Sequence, residues 1–584
     1  MINLENTQEF GYVIRPNGFL DREDYVDINS QLRKLYLFWD KEAKGWKVPK
    51  NKLQEVSLFL QKKLKISGIE VEHETQVSLE TKFFRSSKFE ESCLKVKLYD
   101  YQKEDVDWAL KRNRGFIASD PGVGKTIESI SIISQLKRKG KIDGVLLLVK
   151  NNMTYHWRRE IEEFSSVFTD QDIYVVNNKN KRKVFREDET PSIVICPNHL
   201  LKDVLHEDIN LKESWKKENL CLILDESHEF KNSSAKRTLS LFKILKDFEY
   251  RYELSATPAI NGFEDWYIQI RILDESIIPL SEKAFKLEIA QSIGTIYDPY
   301  AITSYNQKKL KDYLEKFRPW VIKRVKTDLP EMKTKQIIKP IYLEMSNKQR
   351  SIYNMVKDFY IKKATTDGEK QVSYSQIANK YPYLLMAIDN PSMLKDKIKE
   401  ETDFDVKPLE SSLKSWTADN QTKIEYLDDF LLNKIKHEKE KVIVFDIHPL
   451  TLDELEERYK EYHPLVIHGK KGQTLEQRQK IIDDFNDVKS KHKLILLNVQ
   501  TGGTGLNLHK ACNTIVYFNL PYDTTLYRQS LDRTYRISST KDSFVEILCY
   551  GKTFDEKRMK ENIKRTQIND YSFKEEINDL LEYL

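Results

Sequence analysis

Cysteine is scarce in this chain: five among 584 residues, widely spaced and never in a Cys-x-x-Cys pair. That leaves no disulfide framework and no recognisable zinc ligand set, and it fits a reducing compartment. Long apolar runs are missing too. No stretch approaches the roughly 20 residues a membrane span needs, and the opening Met1-Ile2-Asn3-Leu4-Glu5 lacks the basic-then-apolar pattern of a secretory leader. The expectation is a soluble, cytoplasmic protein with no membrane partner. Charge of one sign is not in excess either: 96 basic residues face 91 acidic ones, for a net charge of +5. Bulk charge therefore announces no polyanion, and any nucleic-acid surface must be a local groove. Neither a repeat of about 20 to 50 residues nor a low-complexity tract occurs.

What is present is the composition of a globular protein, 40% apolar and 32% charged. The length suggests roughly three or four domains. Residues 1–95 read as a small α+β unit, with alternating stretches such as Tyr36-Leu37-Phe38-Trp39 and Gly45-Trp46-Lys47-Val48-Pro49. Over 96–275, short apolar runs (Phe116–Ala118, Val145–Val149, Ile193–Ile195, Leu222–Leu224) alternate with longer amphipathic segments, the rhythm of a parallel α/β sheet. Residues 276–430 lose that rhythm and become Lys/Glu-rich at helical spacing, which predicts helical insertions and a linker. The rhythm returns over 431–584 at Val442–Phe445, Leu465–Ile467, Leu494–Leu497 and Ile515–Phe518, a second α/β domain.

Two motifs in the first α/β domain carry chemistry. Phe116-Ile117-Ala118-Ser119-Asp120-Pro121-Gly122-Val123-Gly124-Lys125-Thr126 is a strand, a tight loop and a helix start. Gly122 and Gly124 let backbone N–H groups turn inward around phosphate oxygens, with Val123 between them. Lys125 places a point charge on the outer phosphates, and the Thr126 hydroxyl is a magnesium ligand. The strict pattern has glycine where this chain has Ser119. A structural turn with an exposed lysine is the bland alternative. About 100 residues on, Leu222-Ile223-Leu224 runs into Asp225-Glu226-Ser227-His228. Adjacent carboxylates after a buried strand are costly unless they meet a cation or a wet cleft. Asp225 suits magnesium, and Glu226 suits activation of the water that attacks the terminal phosphate. A solvated acidic turn is the competing reading, but both motifs fall at strand ends of one α/β domain, where such sheets place ligands.

From Leu98 to about Glu556 the sequence resembles the Swi/Snf branch of helicase superfamily two. The resemblance rests on Leu98-Tyr99-Asp100-Tyr101-Gln102, on Asp225-Glu226-Ser227-His228-Glu229-Phe230-Lys231-Asn232, and on Arg251-Tyr252-Glu253-Leu254-Ser255-Ala256-Thr257-Pro258. Further on it rests on Val466-Ile467-His468-Gly469 with Glu476-Gln477-Arg478, on Thr501-Gly502-Gly503-Thr504-Gly505-Leu506-Asn507-Leu508, and on Gln529-Ser530-Leu531-Asp532-Arg533-Thr534-Tyr535-Arg536. It implies an α/β fold of two tandem RecA-like domains with helical insertions, preceded by the small α+β unit, using ATP and Mg2+. It also implies that Gln102 takes the adenine edge and that Gly505 lies in the nucleotide-binding set. His228, Ser255, Ala256, Thr257 and Gln529 would couple the ATP site to the nucleic-acid track. Arg533 and Arg536, three apart and on one face if helical, would supply charge to the terminal phosphate; a solvated basic helix face is the alternative. The family's usual His between these arginines is Tyr535 and its following Gly-Gln is Ser538-Ser539, which leaves the local hydrogen bonding open.

Phe317–Pro330, Gln349–Tyr353 and Ala387-Ile388-Asp389-Asn390-Pro391 resemble the linking segment and helical protrusions of the same branch, which translocates on double-stranded DNA. DNA, duplex or branched, is thus the expected partner, and nucleoid association the expectation if the source is bacterial or viral. Trp157, Asn198 and Thr501 are the DNA-contact candidates, the first two together with His199. Packing for Trp157 and turn capping for Asn198 stand beside that reading. Lys179–Lys183 is a phosphate-contact candidate or a solvated loop. Trp39-Asp40, Gly45-Trp46 and Pro49 loosely resemble the HARP module of annealing helicases, against a small scaffold whose aromatics are core. RNA remodelling, and a catalytically weak DNA-binding scaffold, remain as alternatives. Against the scaffold, Lys125, Thr126, Asp225, Glu226, Arg533 and Arg536 are all present.

Overall fold

The computed structural model describes residues 89–571 apart from 186–190, 206–210, 257, 259–261, 295–301, 367–380, 398–406, 503–507 and 522; before residue 89 it describes 2–7, 11–16, 32, 37, 39–40, 44–48, 56 and 58. The chain divides into two compact units, Met1–Ser119 with Thr126–Lys323 and Ile568–Leu584, and Asp120–Lys125 with Arg324–Gln567.

The N-terminal residues form a four-stranded antiparallel sheet from β1 (Ile2–Thr7), β2 (Gly11–Pro16), β3 (Trp39–Asp40) and β4 (Gly45–Lys47), in the order β1-β2-β4-β3. Trp46 is buried and meets Trp39 edge to face, with ring centroids 4.6 Å apart. The aromatics of this segment thus pair with each other across two strands.

The larger sheet of the first unit contains β5 (Arg114–Ile117), β6 (Gly144–Val149), β7 (Ile173–Val175), β8 (Ile193–Pro197), β9 (Leu220–Asp225) and β10 (Phe248–Leu254). A separate hairpin, β11 (Ala290–Ile293) and β12 (Ile302–Tyr305), precedes β13 (Val321–Ile322), which returns to the large sheet. The order is β13-β5-β10-β9-β6-β8-β7, with every pairing parallel. Both faces are covered, which explains the unbroken apolar runs. Leu146, Leu148, Leu222 and Leu224 enter one core, and Val145, Leu147, Val149 and Ile223 enter the other, as the two-residue period of a strand requires.

The second unit carries β14 (Gln336–Leu343), β15 (Val442–Asp446), β16 (Leu465–Ile467), β17 (Leu494–Asn498), β18 (Thr514–Tyr517) and β19 (Ser543–Tyr550), again all parallel, in the order β14-β19-β18-β15-β17-β16. β14 does not stand out in the sequence because it is an edge strand: it is largely exposed and contains Pro340, which only an edge or a bulge tolerates. Helices Asn347–Thr366, Tyr381–Asp389 and Lys407–Lys414 form a further core through Ile352, Val356, Ala387, Ile388, Leu409 and Leu413. Gln349 ties two of them, its Nε2 donating to Ala387 O at 3.1 Å and Ile388 O at 2.9 Å.

The segment 276–430 is therefore not one insertion region. Helix Gln307–Phe317 gives Leu310, Tyr313, Leu314 and Phe317 to the first core, and β13 extends the first sheet. The division between units falls after Lys323. All five cysteines are unpaired and buried, and burial raises their thiol pKa values. No helix among the described residues is long and apolar enough to cross a membrane.

Candidate nucleotide site

Strand register aligns the site. Leu254 of β10 is level with Ile117 of β5 on one side and with Asp225 of β9 on the other. The residues that follow these three strand ends, the loop from Ala118, the segment from Ser255 and the pair Asp225-Glu226, therefore emerge together at the C-terminal edge of the sheet, where open parallel sheets hold ligands. A backbone bond from Ser255 N to Ile117 O, 3.3 Å, continues the alignment past the strands.

The glycine loop has the backbone its composition predicts. Gly122 and Gly124 have φ of +81° and +105°, the left-handed region that side chains resist. The helix that follows, α1 (Lys125–Arg138), starts at the lysine. Lys125 Nζ donates to Asp120 O at 3.0 Å. Asp120–Lys125 are braced within the second unit: Lys326 N donates to Asp120 Oδ2 at 2.9 Å, and Ile537 N to Gly122 O at 3.2 Å. A Cβ on Gly122 would stand 2.9 Å from Arg536 Cγ, so close approach is a second reason for glycine there.

Glu226 follows β9 in a left-handed conformation, φ 52° and ψ 53°, which costs a non-glycine residue about 1 to 3 kcal/mol and is held only where surrounding structure enforces it. The enforcement comes from the next turn, Ser227–Phe230. His228 Nδ1 lies 3.0 Å from Ser255 Oγ and 3.3 Å from Glu226 Oε2. Burial lowers the imidazole pKa, more than the nearby Glu226 raises it. The His228 ring is thus neutral near pH 7 and links the acidic turn to the Ser255-Ala256 segment by a hydrogen bond rather than an ion pair.

Gln269 escaped sequence reasoning. It lies on helix Trp266–Leu273 and accepts from Ser227 Oγ at 3.1 Å. Its Nε2 donates to Pro258 O at 2.5 Å and Asp265 O at 3.0 Å, so one buried amide joins the acidic turn to the segment after Ser255. A glutamine in an apolar helix is the only signal the sequence offered. Lys231 reaches the same helix start, Nζ to Asp265 Oδ2 at 3.2 Å.

Trp157, on α2 (Thr154–Phe164), is fully buried, and its indole N–H donates to Asp225 Oδ2 at 2.8 Å. The ring belongs to the core rather than to a surface that meets DNA. Asn198 is 4% exposed and caps nothing; its amide N and O have no hydrogen-bond partner among the described residues. His199 is exposed beside it. Within the run Lys179–Lys183, Lys181 is ion-paired with Asp203. Thr501, half-buried, lies near Gly469, whose added Cβ would stand 3.8 Å from Thr501 Cγ2. Gln102 is buried and closes a helix-start box by accepting from Tyr99 N at 3.0 Å. Thr257 and Gly505 lie outside the described residues.

The arginine segment departs from the helical premise. Helix α3 (Thr524–Leu531) contains Gln529 but ends before Arg533 and Arg536, which sit on the turns that follow. Arg533 Nε donates to Gln529 O at 2.6 Å, and Arg536 N to Ser539 Oγ at 2.9 Å. The two departures, at Tyr535 and at Ser538-Ser539, are absorbed locally. Lys326, from the linking segment, bonds Asp532, donates to Tyr535 O at 2.8 Å and sits 4.5 Å from the Tyr535 ring centroid. Ser538 Oγ meets His509 Nε2 at 2.8 Å. Burial, with Arg536, Lys510 and Arg533 nearby, lowers the His509 pKa to about 4, so the ring adds no charge to a cationic turn.

Among the described residues, one group of His and carboxylates elsewhere is close enough to hold a cation: Asp389, Asp446 and His448. Its atoms are already engaged. His448 Nδ1 bonds Asp389, Thr451 Oγ1 donates to Asp389 Oδ1 at 3.1 Å, and Asn519 Nδ2 donates to Asp446 Oδ2 at 2.8 Å.

Two parallel α/β units, a glycine loop in the chain after β5 and an acidic pair after β9 define the class of tandem-domain nucleoside triphosphatases. The SNF2-related domain family matches residues 101–393, and the helicase conserved C-terminal domain matches 422–538. The chain belongs to the SNF2-related family. It is 25% identical to a probable chromatin-remodeling complex ATPase chain of Oryza sativa subsp. japonica, over 82% of this chain and 41% of that one. It is 26% identical to the mouse SWI/SNF-related matrix-associated actin-dependent regulator of chromatin subfamily A member 1, over 80% and 43%. An uncharacterized ATP-dependent helicase of Mycoplasma genitalium is 23% identical over 82% and 43%. The chain thus spans under half the length of these relatives. A Sulfolobus solfataricus SWI2/SNF2 ATPase core solved with double-stranded DNA is similar at a TM-score of 0.37 and 20% identity, covering 86% of this chain and 99% of that one. The matched families begin at residue 101 and lend no support to the HARP-like reading of the N-terminal segment.

Proposed function

We propose that the chain is an ATPase stimulated by duplex or branched DNA, along which it translocates. The observation that supports this reading is the alignment of the ends of β5, β9 and β10, which bring Ala118, Asp225-Glu226 and Ser255 to one sheet edge, with His228 joining the last two. The donor set fits nucleotide and magnesium. Glycines with positive φ open the loop backbone, Lys125 supplies the ammonium, and the Thr126 hydroxyl and Asp225 carboxylate are the hard oxygen donors Mg2+ prefers. Bound Mg2+ would neutralise charge on the outer phosphates.

The chain's own residues do the rest. Lys125 binds and orients the terminal phosphates. Glu226, held in its left-handed turn, aims its carboxylate at the attacking water and takes up its proton. Arg533 and Arg536 supply the positive charge that the transition state needs, a contribution worth about 10³ to 10⁵ in rate where it has been removed from related phosphoryl-transfer sites. His228, touching both Glu226 and Ser255, passes the state of the water-activating residue to the segment that leads toward the nucleic acid. Family membership and the relatives' names favour DNA as that polymer.

The test is phosphate release measured without nucleic acid and with single strands, duplex, forks and RNA. Stimulation by duplex or fork above the others is expected. Equal rates throughout would sink the reading, and RNA as best activator would replace it with RNA remodelling.

A further inference from the structure

Trp157 is too specifically bonded to be only core. An indole N–H is donor-only, so burying it demands an acceptor, and the acceptor here is the carboxylate of the residue on which the proposed magnesium site depends. The ring is enclosed by the core that also holds Val149, Ile161 and Ile195, while Nε1 reaches Asp225 Oδ2 at 2.8 Å across 68 residues of sequence. A phenylalanine would fill most of that space and leave Asp225 Oδ2 without this donor. A bond to an ionised oxygen from a rigid ring fixed in a core also sets the direction in which the carboxylate points.

We propose that Trp157 is a positioning residue for magnesium: its indole N–H fixes the Asp225 carboxylate in the orientation that serves the cation. The proposal rests on Asp225 being the magnesium residue, and the test separates the two. The affinity of a fluorescent N-methylanthraniloyl ADP is measured with Mg2+ and with EDTA, and the ratio of the two dissociation constants gives the magnesium-dependent gain. Trp157→Phe should cut that gain by about tenfold or more, the usual cost of losing a partner of a metal ligand, while affinity in EDTA stays within about twofold of wild type. In the Asp225→Asn background, Trp157→Phe should change nothing further, because the bond it removes serves only that carboxylate. Should Trp157→Phe be poorly folded, benzothienylalanine at position 157 keeps the ring shape, replaces N–H by sulfur and should give the same loss.

If Asp225→Asn loses the gain but neither Trp157 variant does, the positioning role is wrong and the magnesium assignment stands. If the losses from the two sites add in the double variant, Trp157 acts through packing alone and the proposal fails. If Asp225→Asn itself keeps the gain, the magnesium assignment falls and takes the proposal with it.

Discussion

His228 Nδ1 and Ser255 Oγ, 27 residues apart in sequence, stand 3.0 Å apart at the ends of neighbouring strands, and the same ring nitrogen is 3.3 Å from Glu226. A single imidazole therefore touches both the residue proposed to activate water and the start of the segment proposed to couple the site to nucleic acid. Ser255→Ala removes one hydrogen bond of about 0.5 to 1.5 kcal/mol. ATP hydrolysis without DNA should stay within about tenfold of wild type, while stimulation by DNA is largely lost. Steady-state phosphate release with and without duplex checks this, and full stimulation in the variant would remove the coupling role.

Lys125 and Glu226 should fail in different ways. Lys125→Ala weakens nucleotide binding. Glu226→Gln binds ATP with near wild-type affinity but turns over about 10² to 10⁴ times more slowly, the usual worth of a positioned base. Equilibrium binding together with single-turnover hydrolysis distinguishes the two, and normal turnover in Glu226→Gln would reassign the base.

Arg536→Ala should bind ATP and DNA normally and lose about 10³-fold or more in kcat. The backbone amide of Arg536 already bonds Ser539, so the turn has support that does not depend on the guanidinium. A loss of nucleotide affinity without a loss of kcat would instead mark Arg536 as a ground-state contact.

Glu253 in β10 is fully buried, and burial raises its carboxyl pKa well above the usual range, against smaller lowering effects of Ser227 and Arg251. A folded pKa above the unfolded one, about 4.3, means that its contribution to stability is complete below that value and is lost as pH rises toward the folded pKa. Glu253→Gln cannot ionise. Between about pH 5 and pH 8 its melting temperature should fall less than that of the wild type. Parallel melting curves across that range would show otherwise.

Much of the site was legible because its signals are local. The apolar runs at Phe116, Leu222 and Val442 each became a strand, and Gly122 and Gly124 have the positive φ that a tight glycine-containing turn after β5 calls for. What stayed hidden depends on tertiary contact or on exposure. No spacing links Trp157 to Asp225 or Gln269 to Ser227, since those bonds exist only after helices pack on the sheet. β14 carries Pro340 and a half-wet face, so its alternation is weak, and β13 has only Val321 and Ile322. Missing these two strands, and the short hairpin of β11 and β12, is why 276–430 read as helical insertions and a linker. Helical spacing of Arg533 and Arg536 misled for a related reason: nothing in the local sequence marks the helix end at Leu531, which tertiary bonds from Lys326 accompany.

The burial of every thiol has a practical reach. With Cys93, Cys196, Cys221, Cys512 and Cys549 all inside the protein and their ionisation suppressed, the native chain should react slowly with maleimides. Cysteines introduced at exposed positions, for example Tyr155→Cys and Val488→Cys, would then take dyes selectively without stripping the native ones, and energy transfer between them would test whether the distance between the two labels changes when ATP is added.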